Sequence, residues 1–139
     1  MRIERELLID APVDAVWSVM ADVERWPEIT ASMTSVRLLD GELRVGARAE
    51  VVQPKLAKAV WTVTRFDEGR RFVWESRVPG VRIVAGHEVK PDGDRTRAMV
   101  SVDQTGPFAP VFGLMLRKLT EHYLGLELAG FRDRATAAR

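Results

Sequence analysis

Few residues in this chain join a reactive side chain to a position that would shelter it. His87 is the foremost, because it shares a strand face with Ala85 and Val89. An imidazole on an apolar face can orient a ligand carbonyl or move a proton near neutral pH. The same place also suits a hydrogen-bonded interior histidine. Ser76 follows the phase of Phe72 and Trp74 and points inward if they do, with Glu75 outward. A one-residue slip would exchange the two. Arg65 shares phase with Trp61 and Val63 and could polarise a carbonyl, or reach water from its place near a strand end. Glu127 borders the apolar stripe of the last helix and reads as exposed, with pairing to a buried base as the alternative.

Four tryptophans frame these groups. Trp61 and Trp74 fall on neighbouring strands and offer rigid aromatic walls, each with one N–H donor, or plain core packing. Trp26, held by Pro27, suits a lid at a cavity mouth or a packing role, whereas Trp17 reads as structural and His122 as a surface residue.

The elements that must position these residues follow from periodicity. Ile3, Leu7 and Ile9 alternate against Glu4 and Glu6, which predicts a first strand ending at Asp10-Ala-Pro12. Val13, Val16, Trp17 and Met20 have helical spacing to about Ala21. A short helix or turn over Glu24–Ile29 follows, in which Pro27 disfavours helix at Trp26. Strands are expected over Ser35–Leu39, Ala47–Gln53, Lys58–Phe66, Phe72–Arg77, Arg82–Lys90 and Arg95–Gln104. Asp40-Gly41, Asp67-Glu-Gly69, Pro79-Gly80 and Pro91-Asp-Gly93 separate them. Links this short require antiparallel pairing.

From Phe108 to Arg134 the period becomes helical. Phe112, Met115, Leu116, Leu119, Tyr123, Leu126 and Gly130 form one stripe, and Leu124, Leu128 and Phe131 a second. The second strip is read as covering the first strand or first helix, with a partner contact as the alternative. The residues after Asp133 read as a frayed tail. One long helix facing an antiparallel sheet predicts an α+β fold of about seven strands with a hollow between the layers. Its expected wall is Trp26, Trp61, Val63, Phe72, Trp74, Ser76, His87, Phe112, Met115, Leu116, Leu119 and Tyr123.

Composition narrows the chemistry. The 139 residues fit a single domain spanning 1–139. With 21 basic and 20 acidic residues, dispersed along the chain, nothing draws it toward nucleic acid. Cysteine is absent, which excludes disulfides, thiolate catalysis and Cys-based zinc sites. Two separated histidines make no metal motif, no serine sits in a nucleophile elbow, and no glycine-rich phosphate loop occurs. No metal and no cofactor are therefore expected. No apolar run approaches the ~20 residues of a membrane span, and the charged start Met1-Arg-Ile-Glu-Arg-Glu is unlike a signal peptide. A cytoplasmic monomer or homodimer is the expectation.

Several runs carry a resemblance. Ile9-Asp-Ala-Pro12-Val-Asp-Ala-Val-Trp17 followed by Trp26-Pro27-Glu-Ile29 resembles the opening of bacterial polyketide cyclase/dehydrase-like proteins of the START/Bet v 1 (SRPBCC) superfamily. Gln53-Pro-Lys-Leu56, Val60-Trp61-Thr-Val63, Phe72-Val-Trp74-Glu-Ser76 and His87-Glu-Val89 are similar to later runs of the same group. The likeness covers essentially the whole chain. It implies the helix-grip fold, a curved antiparallel sheet around a long C-terminal helix with two short helices after strand 1. It also implies a deep, mostly apolar cavity for a small hydrophobic ligand such as a lipid, polyketide or isoprenoid-like compound. The alternatives it carries are an aromatase-like cyclase/dehydrase, with His87 as acid/base and Arg65 or Ser76 polarising carbonyls, and a protein-interaction module. Cyclases of this group keep an Arg with Tyr, Ser or His in the cavity; here the one tyrosine is Tyr123 and no complete polar set can be matched.

Overall fold

The computed structural model describes residues 1–137. Strand β1 (Arg2–Ile9) leads into α1 (Val13–Ala21), a turn of 3-10 helix over Val23–Arg25, and the four-residue α2 (Trp26–Ile29). Six strands follow: β2 (Ser35–Leu38), β3 (Arg48–Val52), β4 (Ala59–Asp67), β5 (Arg71–Val78), β6 (Val81–Asp92) and β7 (Arg95–Thr105). Helix α3 (Ala109–Thr136) ends the described chain. It continues past Asp133, where a frayed tail was expected; residues 138–139 lie outside the described part. Helix α2 begins at Trp26 rather than after it. Pro27 then occupies the first turn, where its missing N–H leaves no bond unmade.

The sheet order is β1-β7-β6-β5-β4-β3-β2, with all neighbours antiparallel. Five hairpin-linked steps run from β2 to β7, and β1 closes against β7 so that Ile3 faces Val102 and Ile9 faces Thr96. Alternation then sends Val36, Ala49, Val51, Val63, Phe72, Trp74, Ala85, His87, Val89, Ala98 and Val100 inward. The outer face carries ion pairs such as Arg82 to Glu75 at 2.9 Å. One irregularity changes this phase. A bulge between Val63 and Arg65 sets Val63 opposite Trp74 but Arg65 opposite Val73, so Thr64 is the extra residue. Beyond it the inward set resumes at Phe66, which packs against Trp17. Arg65 is turned out to solvent.

One end of the interior is filled. Trp26 lies at the centre of an aromatic cluster, with ring centroids 5.3 Å from His87, 5.6 Å from Trp74 and 5.6 Å from Phe131. Its indole N–H donates to the Met20 carbonyl at 3.2 Å, so full burial leaves no orphan donor. The C-terminal half of α3 covers this end with buried Leu124, Leu128, Phe131 and Ala135. The second apolar strip thus belongs to the core, as read. Gly130 permits the close approach, because a Cβ there would strike the Ile29 carbonyl of α2. The N-terminal half of α3 behaves differently. Val111, Leu114 and Met115 point to solvent, as does Phe108 just before the helix, and a hollow remains beneath Phe112 and Leu116.

Candidate functional site

The hollow lies between the inner face of β3–β7 and α3, with a volume of about 120 Å³. Trp61, Trp74, Ile83, Ala85 and Val102 form the sheet wall, and Phe112, Leu116, Tyr123 and Leu124 the helix wall. Trp26 closes the inner end, while Gln53 and Leu56 from the β3–β4 connection complete the outer side. That connection is tied down at two points. The Tyr123 hydroxyl donates to the Pro54 carbonyl, and the Gln53 amide donates to the Ser32 carbonyl at 3.3 Å. The lining is mainly apolar, as expected where a curved sheet and a straight helix cannot mesh completely.

Besides Tyr123, two ionisable side chains face this apolar space. His87 is 4% exposed and stacks on Phe72, ring centroids 4.2 Å apart and nearly parallel. Its Nδ1 lies 3.4 Å from the Phe72 carbonyl. Donation from Nδ1 to that oxygen leaves the lone pair on Nε2. Burial disfavours the imidazolium and pushes the pKa down to about 4, against a smaller upward pull from the carbonyl contact. Glu127 is 5% exposed, and among the described residues no basic or hydrogen-bonding side chain pairs with its carboxyl. Burial alone drives its pKa up to about 8. Near neutral pH the cavity therefore holds an uncharged base and an uncharged acid.

The structure gathers seven of the residues expected at the wall: Trp26, Trp61, Trp74, His87, Phe112, Leu116 and Tyr123. Five others stand elsewhere. Val63 lies buried in the core, and Phe72 is screened from the hollow by the His87 ring stacked on it. Ser76 is buried on the inner face, but its cross-strand partner Ile83 supplies that part of the wall. Met115 is 76% exposed and Leu119 half-buried off the wall. The wall stripe runs Phe112, Leu116, Thr120, Tyr123, Glu127, and at about 100° per residue Met115 and Leu119 fall to one side of it. Arg65 is corrected most clearly. The bulge turns it outward, where its side chain is 57% exposed and pairs with Asp67 at 3.0 Å.

Five polar residues of the wall escaped the reading of the sequence, Gln53 and Ser101 among them, and spacing accounts for the other three. Glu127 was read as exposed, although it sits four residues after Tyr123 and four before Phe131. Gln104 shares the inward phase of Thr96, Ala98 and Val100, and Thr120 lies four after Leu116. Periodicity places all three; their polarity argued against burial. No group of His, Asp or Glu among the described residues is arranged to hold a metal ion. Among the described residues no helix is long and apolar enough to cross a membrane.

A seven-stranded antiparallel sheet curved around one long helix, with short helices after the first strand and a lined cavity between the layers, defines a helix-grip protein. The chain belongs to the family described as polyketide cyclase / dehydrase and lipid transport, whose model matches residues 1–136. A protein of Streptomyces cyaneus that carries the provisional name polyketide cyclase is 29% identical, over 94% of this chain and 91% of its own length. The aromatase/cyclase ZhuI of Streptomyces sp. R1128 superposes with a TM-score of 0.77 at 22% identity, covering 97% of this chain and 93% of that one. A norcoclaurine synthase point mutant of Thalictrum flavum gives a TM-score of 0.78 at 17% identity, over 99% and 95% of the two chains. At these identities the structural likenesses establish the fold.

Proposed function

We propose that the protein binds a small, largely apolar carbonyl compound between its sheet and α3 and moves protons on it, in reactions of the cyclisation or dehydration type. The observation that carries this reading is the pair His87 and Glu127 facing one apolar cavity, both uncharged near neutral pH. Simple carriage requires no buried unpaired carboxyl, which opposes stability as pH rises. Titratable groups whose surroundings push their pKa values apart mark acid and base roles. His87 Nε2 takes a proton from the carbon next to a ligand carbonyl, while the Glu127 carboxyl donates its proton to the carbonyl oxygen. The product is an enol, with Glu127 left as carboxylate and His87 as imidazolium. As the enol carbon attacks a second carbonyl and closes a ring, the His87 imidazolium gives its proton to the new alkoxide and the enol O–H returns its proton to Glu127. In the dehydration that follows, His87 removes the next α-proton while the Glu127 carboxyl protonates the departing hydroxyl, which leaves as water. The family membership and the Streptomyces relative support this class of chemistry.

The test needs no natural substrate. Deuterium exchange into the methyl group of acetophenone, followed by NMR, reads enolisation directly. The expected result is exchange faster than solvent alone, lost in His87→Ala and in Glu127→Gln while binding persists. Binding with exchange at the solvent rate would reject catalysis. That outcome favours a second reading, non-catalytic carriage of a hydrophobic ligand, which the apolar wall of tryptophan and aliphatic groups supports on its own.

A further inference from the structure

Gln104 is a polar group that this chemistry leaves unused. It is 3% exposed, it lines the cavity, and its Oε1 has no hydrogen-bond partner among the described residues. Its backbone is fully engaged: the N–H donates to the Met1 carbonyl at 2.9 Å, and its carbonyl accepts from the chain's amino terminus at 2.8 Å. The side chain is also confined. A Cβ on Gly113 of α3 would collide with both the Gln104 amide and the Met1 sulfur, so glycine there keeps the amide in place. The Oε1 is enclosed between Gly113 and Met1, so a ligand in the hollow meets the amide through its other polar atom, Nε2.

Position and chemistry together define the complement. Gln104 lies four residues along β7 from Val100, the cross-strand partner of His87, about 13 Å at roughly 3.3 Å per residue. Gly113 beside it and Glu127 are far apart along α3. The cavity thus has a proton-transfer end and an amide end. An amide presents both an acceptor and donors, and a hydroxyl, which both donates and accepts, satisfies it in either orientation. Size sets a further limit. An apolar cavity of about 150 Å³ takes up benzene, and pockets for drug-sized molecules run about 300–1,000 Å³. The volume of about 120 Å³ here matches one ring with a short side chain.

Building on the function proposed above, we infer that the ligand is a single-ring compound with a carbonyl at one end and a hydroxyl at the other, the hydroxyl held by Gln104. Fused multi-ring compounds exceed the space.

Isothermal titration calorimetry with three isosteric probes tests this, at a pH where Glu127 and the phenols keep their protons. Para-hydroxyacetophenone should bind about three- to tenfold more tightly than acetophenone, the range of one net hydrogen bond. Ortho-hydroxyacetophenone, whose hydroxyl bonds to its own carbonyl, should show no such gain. In the near-isosteric Gln104→Met the para advantage should vanish. The inference is overturned if the para compound gains nothing in the unmodified protein, if the ortho compound gains as much, or if Gln104→Met keeps the gain. Anthrone, with three fused rings, binding as tightly as acetophenone would overturn the size limit. The unmodified protein alone decides these points should the variant fail to fold. If none of the probes binds, the cavity function itself fails and takes this inference with it. Acetophenone binding without a hydroxyl effect removes this inference alone.

Discussion

Replacing Glu127 with glutamine isolates the energetic consequence of a carboxyl facing an apolar hollow. The native chain holds the Glu127 proton up to about pH 8, whereas the unfolded chain releases it near the ordinary value of 4.5. Between those limits unfolding releases a proton, so stability falls as pH rises, and it levels off above the folded value. At about 1.4 kcal/mol per pKa unit, the loss accumulated by pH 7 is about 3 kcal/mol. Glutamine keeps the shape and cannot ionise. Urea unfolding followed by tryptophan fluorescence, in steps from about pH 5 to 8, should show Glu127→Gln gaining on the unmodified protein by about 3 kcal/mol across that range. The acid limb should be shared, because His87 is unchanged. It binds its proton in the unfolded chain near 6.5 but in the native chain only near 4, so both proteins lose stability as pH falls through that window. Parallel profiles from pH 5 to 8 would mean a solvated carboxylate at this position, and the argument for a desolvated acid would fall.

Further outcomes follow from the same geometry. Ketone enolisation should plateau between about pH 4 and pH 8, dropping below as His87 gains a proton and above as Glu127 loses one; NMR exchange rates that climb steadily into alkali would contradict the pairing. Phe131→Ala should lower stability by about 3–5 kcal/mol in urea titrations, since the ring is fully buried against Trp26. Gly130→Ala should cost about 1–3 kcal/mol by forcing α3 away from the Ile29 carbonyl; an unchanged unfolding midpoint would show that the two helices part freely. Arg65→Ala should leave acetophenone affinity as it was, because Arg65 pairs with Asp67 on the outer face.

The fold was legible because its signals are periodic and local. Turn residues at Pro79-Gly80 and Asp67-Glu-Gly69 fix antiparallel hairpins, and the switch of period at Phe108 announces the helix. The resemblance in the opening runs points to the same architecture, and the family match agrees with it. The cavity wall was legible where alternation is unbroken, as at Trp61, Trp74 and His87. It misled at Arg65, because a bulge adds Thr64 and inverts the phase, and no residue there announces it. On α3, wall and stripe differ by less than a quarter turn, which moved Met115 out and brought Thr120 in. Glu127 and Gln104 were hidden by chemistry rather than by spacing. A polar residue in an inward phase is ordinarily assigned to solvent, and only packing shows when it is enclosed.

The account rests on an open, mainly apolar space between sheet and helix that accepts a small ketone. A crystal structure of the protein soaked with acetophenone addresses this most directly, with Ala85→Leu, which fills the wall between Trp74 and His87, as the comparison. The account predicts ligand density among Trp61, Trp74, His87 and Glu127 in the unmodified protein, and none in Ala85→Leu. An empty or collapsed cavity at saturating ketone, or density confined to the outer surface, would contradict it.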